Sequence, residues 1–246
     1  MTSKDRPFDN MHEQCEYIEF QGRRWLWPKC DAKLKAVNDW VGDLNAVYLA
    51  MTRAGRKMRV AIQAGGACGV WPVALAENFE VVLTYEPDRL NDWCLCANTA
   101  HVPETIMCVN AALGEIPGEV NTVLDASEKN NVGAYYTMDA VPGIGVPVPR
   151  LVLDDVPLYA CDLICLDIEG REVEALRGAH GVIEKYQPFI MIEEKPLPQM
   201  GPGRHVQHRP GEATEWLEKI HGYQIISRVH RDIILAPPES RSPRLH

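Results

Sequence analysis

Two rhythms of apolar positions take turns along this chain. Short continuous apolar runs occupy Arg59–Ala64, Val81–Tyr85, Thr105–Val109, Leu163–Ile168 and Phe189–Glu193, the pattern of strands buried on both faces. Between them the spacing widens to the helical period over Trp71–Asn78, Asp88–Asn98, Arg171–Tyr186 and Glu212–His221. Val173, Leu176, Ala179, Val182, Ile183 and Tyr186 form the core-facing stripe of the third of these helices. Tyr223–Ser227 and Asp232–Ala236 predict a closing pair of strands. Strands alternating with helices build βαβ units, so the pattern predicts an α/β fold with a doubly wound, largely parallel sheet and right-handed crossovers.

Two stretches leave that rhythm. Asp31–Arg53 carries Leu34, Val37, Val41, Leu44, Val47 and Tyr48 at amphipathic spacing. Residues 1–57 therefore read as an N-terminal helical extension that packs on the sheet or caps a pocket. Residues 114–158 carry the turn signals Pro117-Gly118, Asn130-Asn131 and Pro142-Gly143. A connection of that length in a compact domain is either functional or disordered. Within it Val120–Leu124 and Ala134–Met138 predict a hairpin, and the whole reads as an acceptor-site insertion. Residues 237–246, PPESRSPRLH, read as a flexible tail.

Chemistry gathers where the predicted strands end. The first ends in QAGGACGVWP, residues 63–72, a glycine turn leading into a helix. Gly65 suits a positive φ, and Gly69 lets backbone approach a ligand closely. Gln63, Gly65, Gly66 and Gly69 are the loop's candidates for cofactor contact. Glu86 ends the second strand, 21 positions after Gly65. An acidic residue about 20 positions beyond such a turn reaches the ribose hydroxyls of a nucleotide. A dinucleotide cradle would need glycines at 65, 67 and 70, where this chain has Ala67 and Val70. S-adenosylmethionine, which has no pyrophosphate, suits the loop better than NAD.

A buried strand then delivers Asp167 to the same edge, followed by Glu169 and Glu172 in the first turn of a helix. Acidic residues favour helix N-termini by ~0.3–1 kcal/mol each, which accounts for Glu172 but not for Asp167. Glu193 ends the next strand at the same edge. Two carboxylates at neighbouring strand ends can share a substrate hydroxyl, a cation or a proton.

Composition adds bounds. The chain has 246 residues, a formal net charge of −9, 46% hydrophobic and 24% charged residues. That suits one globular α/β domain with extensions. No apolar run approaches the ~18 residues of a membrane span. The opening MTSKDRPFDN lacks the apolar stretch of a signal peptide, so a cytoplasmic location is expected. The acidic balance argues against a nucleic-acid coat. Arg23, Arg24, Lys29, Lys33 and Lys35 read as a solvated face. The eight cysteines include no CxxC pair and read mostly as reduced core residues. His205 and His208 lie in a Gly/Pro-rich stretch, and no metal site is expected.

Residues 58–236 resemble the FkbM-type family of S-adenosylmethionine-dependent methyltransferases. The resemblance rests on Tyr85-Glu86-Pro87, LDIEGREVEALRGA at 166–179 with Pro188–Glu193 after it, Gly222-Tyr223, and Asp232–Pro237. Asn110-Ala-Ala-Leu-Gly-Glu115 is similar to the family's third-strand exit, which implies contact between adenine and the backbone at Asn110 and Ala111. The resemblance implies a class I, Rossmann-like fold of seven strands, the last inserted antiparallel. It implies S-adenosyl-L-methionine as cofactor and methylation of an oxygen atom. Asp167, also a cofactor contact, and Glu169 are then the candidates to orient or deprotonate the acceptor, with Glu193 beside them. Asn130, Asn131 and Gly133 are candidates to line the acceptor pocket, with Tyr135 and Tyr136 equally readable as hairpin packing. The expected acceptor is a small molecule or glycan, with nucleic acid left open. Three positions depart from the family's usual residues: Gln63 for Asp, Ala67 for Asn and Cys165 for Lys. Gln63 can still reach the methionine ammonium through its carbonyl, without a charge. That loss also sustains a second reading, a non-catalytic binding or assembly module on a methyltransferase scaffold. The QAGGxxGxWP variant with Trp25-Leu-Trp-Pro28 is similar to a tailed-phage subgroup, whose members would work in the host cytoplasm.

Overall fold

The computed structural model of the chain describes residues 10–32, 41–124, 130–194 and 209–238. A short helix, α1 (Met11–Gln14), leads into an antiparallel hairpin of β1 (Cys15–Phe20) and β2 (Arg23–Pro28). Gln21 and Gly22 form its two-residue turn with φ of +49° and +69°, the left-handed pair that matches a hairpin's twist. This corrects the expected helical extension. Trp25 and Trp27 alternate along β2 and bury themselves with Cys15 and Phe20, a strand period that the helical reading overlooked. Asp31 is not helical either: its carboxylate accepts Trp27 Nε1–H at 2.7 Å and the Val132 N–H at 3.4 Å. Within 44–53 the predicted helix is present as α2 (Leu44–Arg53), which packs Leu44, Val47 and Met51 on the sheet. Leu34, Val37, Lys33, Lys35, His205, His208 and the tail from 239 lie outside the described residues.

The alternation then runs β3 (Val60–Ala64), α3 (Val70–Ala76), β4 (Val81–Tyr85), α4 (Arg89–Thr99) and β5 (Ile106–Val109). Next come β6 (Ala112–Leu113), β7 (Gly118–Leu124), β8 (Tyr135–Asp139) and β9 (Val146–Leu151). It resumes with β10 (Leu163–Leu166), α5 (Glu172–Arg177), α6 (His180–Tyr186), β11 (Phe189–Glu193), α7 (Glu212–Trp216), β12 (Gln224–Val229) and β13 (Asp232–Ala236). The main sheet has the order β12-β13-β11-β10-β3-β4-β5. It is parallel from β11 to β5, and β13 is antiparallel to both neighbours. Every residue of β3, β10 and β11 is buried. Ile62, Ile164, Ile190 and Ile192 meet Leu176 and Ile183 on one face, while Leu163, Cys165 and Met191 meet Val47, Met51 and Leu75 on the other. Each large side chain so buried contributes ~1.5–3 kcal/mol, which is why these strands read as unbroken apolar runs.

The long connection folds into a sheet of its own, ordered β6-β9-β7-β8. The expected hairpin is there, with Val123 opposite Tyr136. Pro147 and Pro149 hid β9, because proline disfavours an interior strand. They are tolerated because β6 pairs only with Arg150 and Leu151, leaving both prolines on β7 alone.

The helix predicted over Arg171–Tyr186 is broken between α5 and α6. Gly178 packs so tightly against the next layer that a Cβ would stand 2.0 Å from the Gly114 carbonyl oxygen. Asp154 restarts the helix by accepting the N–H groups of Gly181 and Val182, both at 2.9 Å. Gly178 itself has φ −73°, open to any residue, so a side chain there meets only the steric barrier. Gly178→Ala is expected to destabilise the fold by roughly 2–3 kcal/mol in urea denaturation through overpacking. Gly42→Ala, with nothing within 4 Å of the added Cβ, is the control and should stay within about 0.5 kcal/mol of the parent.

Candidate functional site

The carboxyl ends of β3, β4, β10 and β11 meet at one edge of the main sheet. Gly65 follows β3 at φ +85°, and a Cβ there would lie 2.0 Å from the Asp167 carbonyl oxygen. Only glycine satisfies both demands, so the loop after β3 and the end of β10 touch through backbone. Gly66 and Gly69 do other work than the expected cofactor contact: they pack on Thr84 and Leu95 and do not line the cleft. Gln63 is buried, and both ends of its amide are engaged inside the fold. Its nitrogen donates to the Gly65 carbonyl at 2.9 Å, and its oxygen accepts from the Thr84 hydroxyl. The expected approach of its carbonyl to an ammonium gives way to bracing the loop.

Glu86, only 4% exposed, accepts the Ala67 N–H at 2.7 Å on one oxygen and the Asp88 N–H at 2.8 Å on the other. Ala67 holds φ +43° beneath that bond. Asp88 caps α4 by accepting the N–H groups of Leu90 and Asn91. Asn110 does not line the cleft: its amide donates to the carbonyls of Glu86 and Pro87 at 2.8 and 3.2 Å, holding the β4 exit beside the β5 exit. Ala111 next to it is a lining residue of the cleft.

These strand ends floor a cleft of about 630 Å³. Its outer wall comes from β8 and the short 3-10 turn before it: Val132, Gly133, Tyr135 and Thr137. Asn131 instead holds the turn by accepting the Gly133 N–H at 3.1 Å. Two residues that sequence reasoning missed fasten this wall. Asn91 donates to the Val132 carbonyl at 2.9 Å, and Arg171 donates to the Thr137 carbonyl at 3.2 Å while pairing with Glu174 at 2.6 Å. Arg171 stood inside the LDIEGREVEA run and so could have been singled out; nothing in the local pattern marked Asn91. Tyr135, left open between packing and lining, lines the cleft.

Asp167 and Glu169 line the cleft from the β10 side, Glu169 at φ +58°. Glu172 holds that bend by accepting the N–H groups of Ile168 and Gly170 at 3.1 and 3.2 Å, and burial raises its pKa to about 7. Glu193 is buried beyond Asp167 and faces Arg231 at 3.6 Å. One carboxylate oxygen each from Asp167, Glu169 and Glu193 lies within 4.8 Å of the others, a group that could hold a metal ion. The sequence spacing compelled no metal site at these three acids, because Glu193 joins Asp167 and Glu169 from a second backbone segment. A smaller recess of about 290 Å³ shares Gly65 and Asp167 with the cleft and adds Gln63, Trp71, Cys165 and Asp232 to its walls. Burial and the Asp167 and Asp43 carboxylates push the Asp232 pKa to about 7.

The family model for the methyltransferase FkbM domain matches residues 69–225, well over half of the chain. The chain belongs to the FkbM methyltransferase domain family. Among solved structures, methyltransferase FkbM from Methylobacillus flagellatus KT aligns at a TM-score of 0.50 and 22% identity, covering 74% of this chain and 44% of that one. WbdD aligns at a TM-score of 0.50 and 14% identity, covering 82% of this chain and 41% of that one. At such identities the likeness concerns the fold, which is that of class I methyltransferases. The chain spans less than half the length of either structure. A search of curated proteins found no match. No helix of the described residues is long and apolar enough to cross a membrane.

FkbM-domain methyltransferases depend on S-adenosyl-L-methionine. The residues here fit that group: the Glu86 carboxyl, a lining residue of the cleft, suits vicinal ribose hydroxyls, and the side-chain-free backbone of Gly65 leaves room beside Asp167.

Burial, with the Asp88 charge next to it, raises the Glu86 pKa from 4.5 to about 8. Between those values the folded chain retains a proton that the unfolded chain has released. The associated stability is full below pH 4.5 and is lost as pH rises through about 8. The melting temperature of the ligand-free protein should therefore fall from pH 5 to pH 8, and Glu86→Gln should flatten that slope, as read by scanning calorimetry.

Proposed function

We propose that this FkbM domain transfers a methyl group from S-adenosyl-L-methionine to a hydroxyl oxygen of a small-molecule or glycan acceptor. The observation that carries this reading is the convergence of Asp167, Glu169 and Glu193 at the edge where the cleft opens. Glu86 would hold the ribose, and Gly65 with the backbone at Ala111 would flank the nucleoside. When bound, the sulfonium supplies an already activated methyl group, so much of the rate comes from position and orientation. Glu169, on the cleft wall, would accept the acceptor's hydroxyl proton, and Asp167 would orient that hydroxyl. Carboxylates on the wall, in a chain of net charge −9, favour a neutral polyhydroxyl acceptor over a polyanion such as RNA.

Two measurements test this reading. Calorimetric titration with S-adenosylhomocysteine should show binding that Glu86→Ala abolishes. Glu169→Gln should keep that binding yet lose roughly a hundredfold or more in turnover, the usual contribution of a positioned general base. Turnover is followed with methyl-labelled S-adenosylmethionine against sugars, polyols and total RNA. Label in RNA alone would refute the acceptor class. Absence of any binding would leave an assembly module on a methyltransferase scaffold.

A further inference from the structure

S-adenosylmethionine ends in an amino acid, whose α-ammonium is a compact cation. A cation in a water-poor recess needs an anionic or carbonyl partner, because burying it unpaired is costly. The cleft and the recess share Gly65 and Asp167, so a ligand that spans both crosses at that point. Gln63 faces the recess, but Thr84 and the Gly65 carbonyl already occupy its amide. The charged residues on the recess walls are Asp167 and Asp232, with no basic residue among the lining. Of the basic side chains next to it along the chain, His230 meets Asp43 at 2.9 Å, and Arg231 faces Glu193 at 3.6 Å. Asp232 reaches this edge because β13 runs antiparallel, which puts its first residue opposite Glu193. Trp71 adds an aromatic wall, a surface that also favours a cation.

Resting on the proposed function, we infer that Asp232 receives the α-ammonium group of the methyl donor, a positioning role that Gln63, tied into the glycine loop, does not fill. The carboxylate of the last strand thus stands in for an acid at the end of the first.

Two probes separate this role from a structural one. S-adenosylhomocysteine carries the ammonium, and 5′-methylthioadenosine lacks it. With EDTA present, Asp232→Asn should weaken S-adenosylhomocysteine by about tenfold or more, as expected for loss of a hydrogen bond to a charged group. The same variant should bind 5′-methylthioadenosine within about twofold of the parent, which also reports that the cleft is intact. Equal weakening of both probes, or of neither, would overturn the assignment to the ammonium. So would parental binding of S-adenosylhomocysteine that requires added magnesium, since a metal ion would then occupy the acidic recess. If the parent protein binds neither probe, the cofactor reading itself fails, an outcome distinct from any effect of Asp232.

Discussion

Glu86 is a carboxyl group held out of water between two strand-end loops, and the geometry of the cleft depends on it. Burying a carboxylate in a protein interior costs several kcal/mol unless hydrogen bonds offset it. Here one backbone N–H arrives from the loop after β3 and one from the loop after β4. Those two bonds fix Ala67 in a left-handed conformation and place Asp88 to cap α4. They do not fully offset the burial, so the group retains its proton near neutrality. A ligand with two hydroxyl donors would complete the solvation that the backbone begins. The site is thus built around an incompletely satisfied acid, shaped before any ligand arrives.

The opposite wall obeys a different logic. Residues 112–151 leave the main sheet and return to it, and such excursions are often mobile. This one carries its own four-stranded sheet and is fastened at two points, by Asn91 to Val132 and by Arg171 to Thr137. Arg171 lines the cleft as well as clamping its wall, with its charge paired to Glu174. Asp167 and Glu169 stand beside that ion pair on the same wall.

The main sheet was legible in the sequence because both of its faces are covered. A strand buried on both sides is mostly apolar, and Arg59–Ala64, Leu163–Ile168 and Phe189–Glu193 announce themselves that way, with Gln63, Asp167 and Glu193 near their carboxyl ends. The site was legible where chemistry and strand ends coincide, as at Glu86 and Asp167. It was illegible where tertiary contact decides. The hairpin at 15–28 reads weakly because its buried positions are few and its turn rests on Gln21-Gly22. The break at Gly178 follows from a carbonyl 64 positions earlier in the chain, at Gly114, which no local window contains. Gln63 was legible as the end of the first strand, but its partners, Thr84 and Gly65, set its role. Asp232 reads only as the start of a strand, since nothing local says that an antiparallel strand returns its first residue to the ligand edge.

Asn98, on α4, accepts the Leu26 N–H at 2.7 Å and donates to the carbonyls of Leu26 and of Cys68 at 2.9 and 2.8 Å. One side chain therefore stitches the N-terminal hairpin to the glycine loop. The recognisable family segment begins at residue 69, one position beyond that stitch. The boundary drawn by sequence similarity and the boundary drawn by mechanics are different lines. Lineages that keep this loop while exchanging the leading segment must supply Asn98 with a new partner or replace it, so the hairpin and α4 are expected to diverge together.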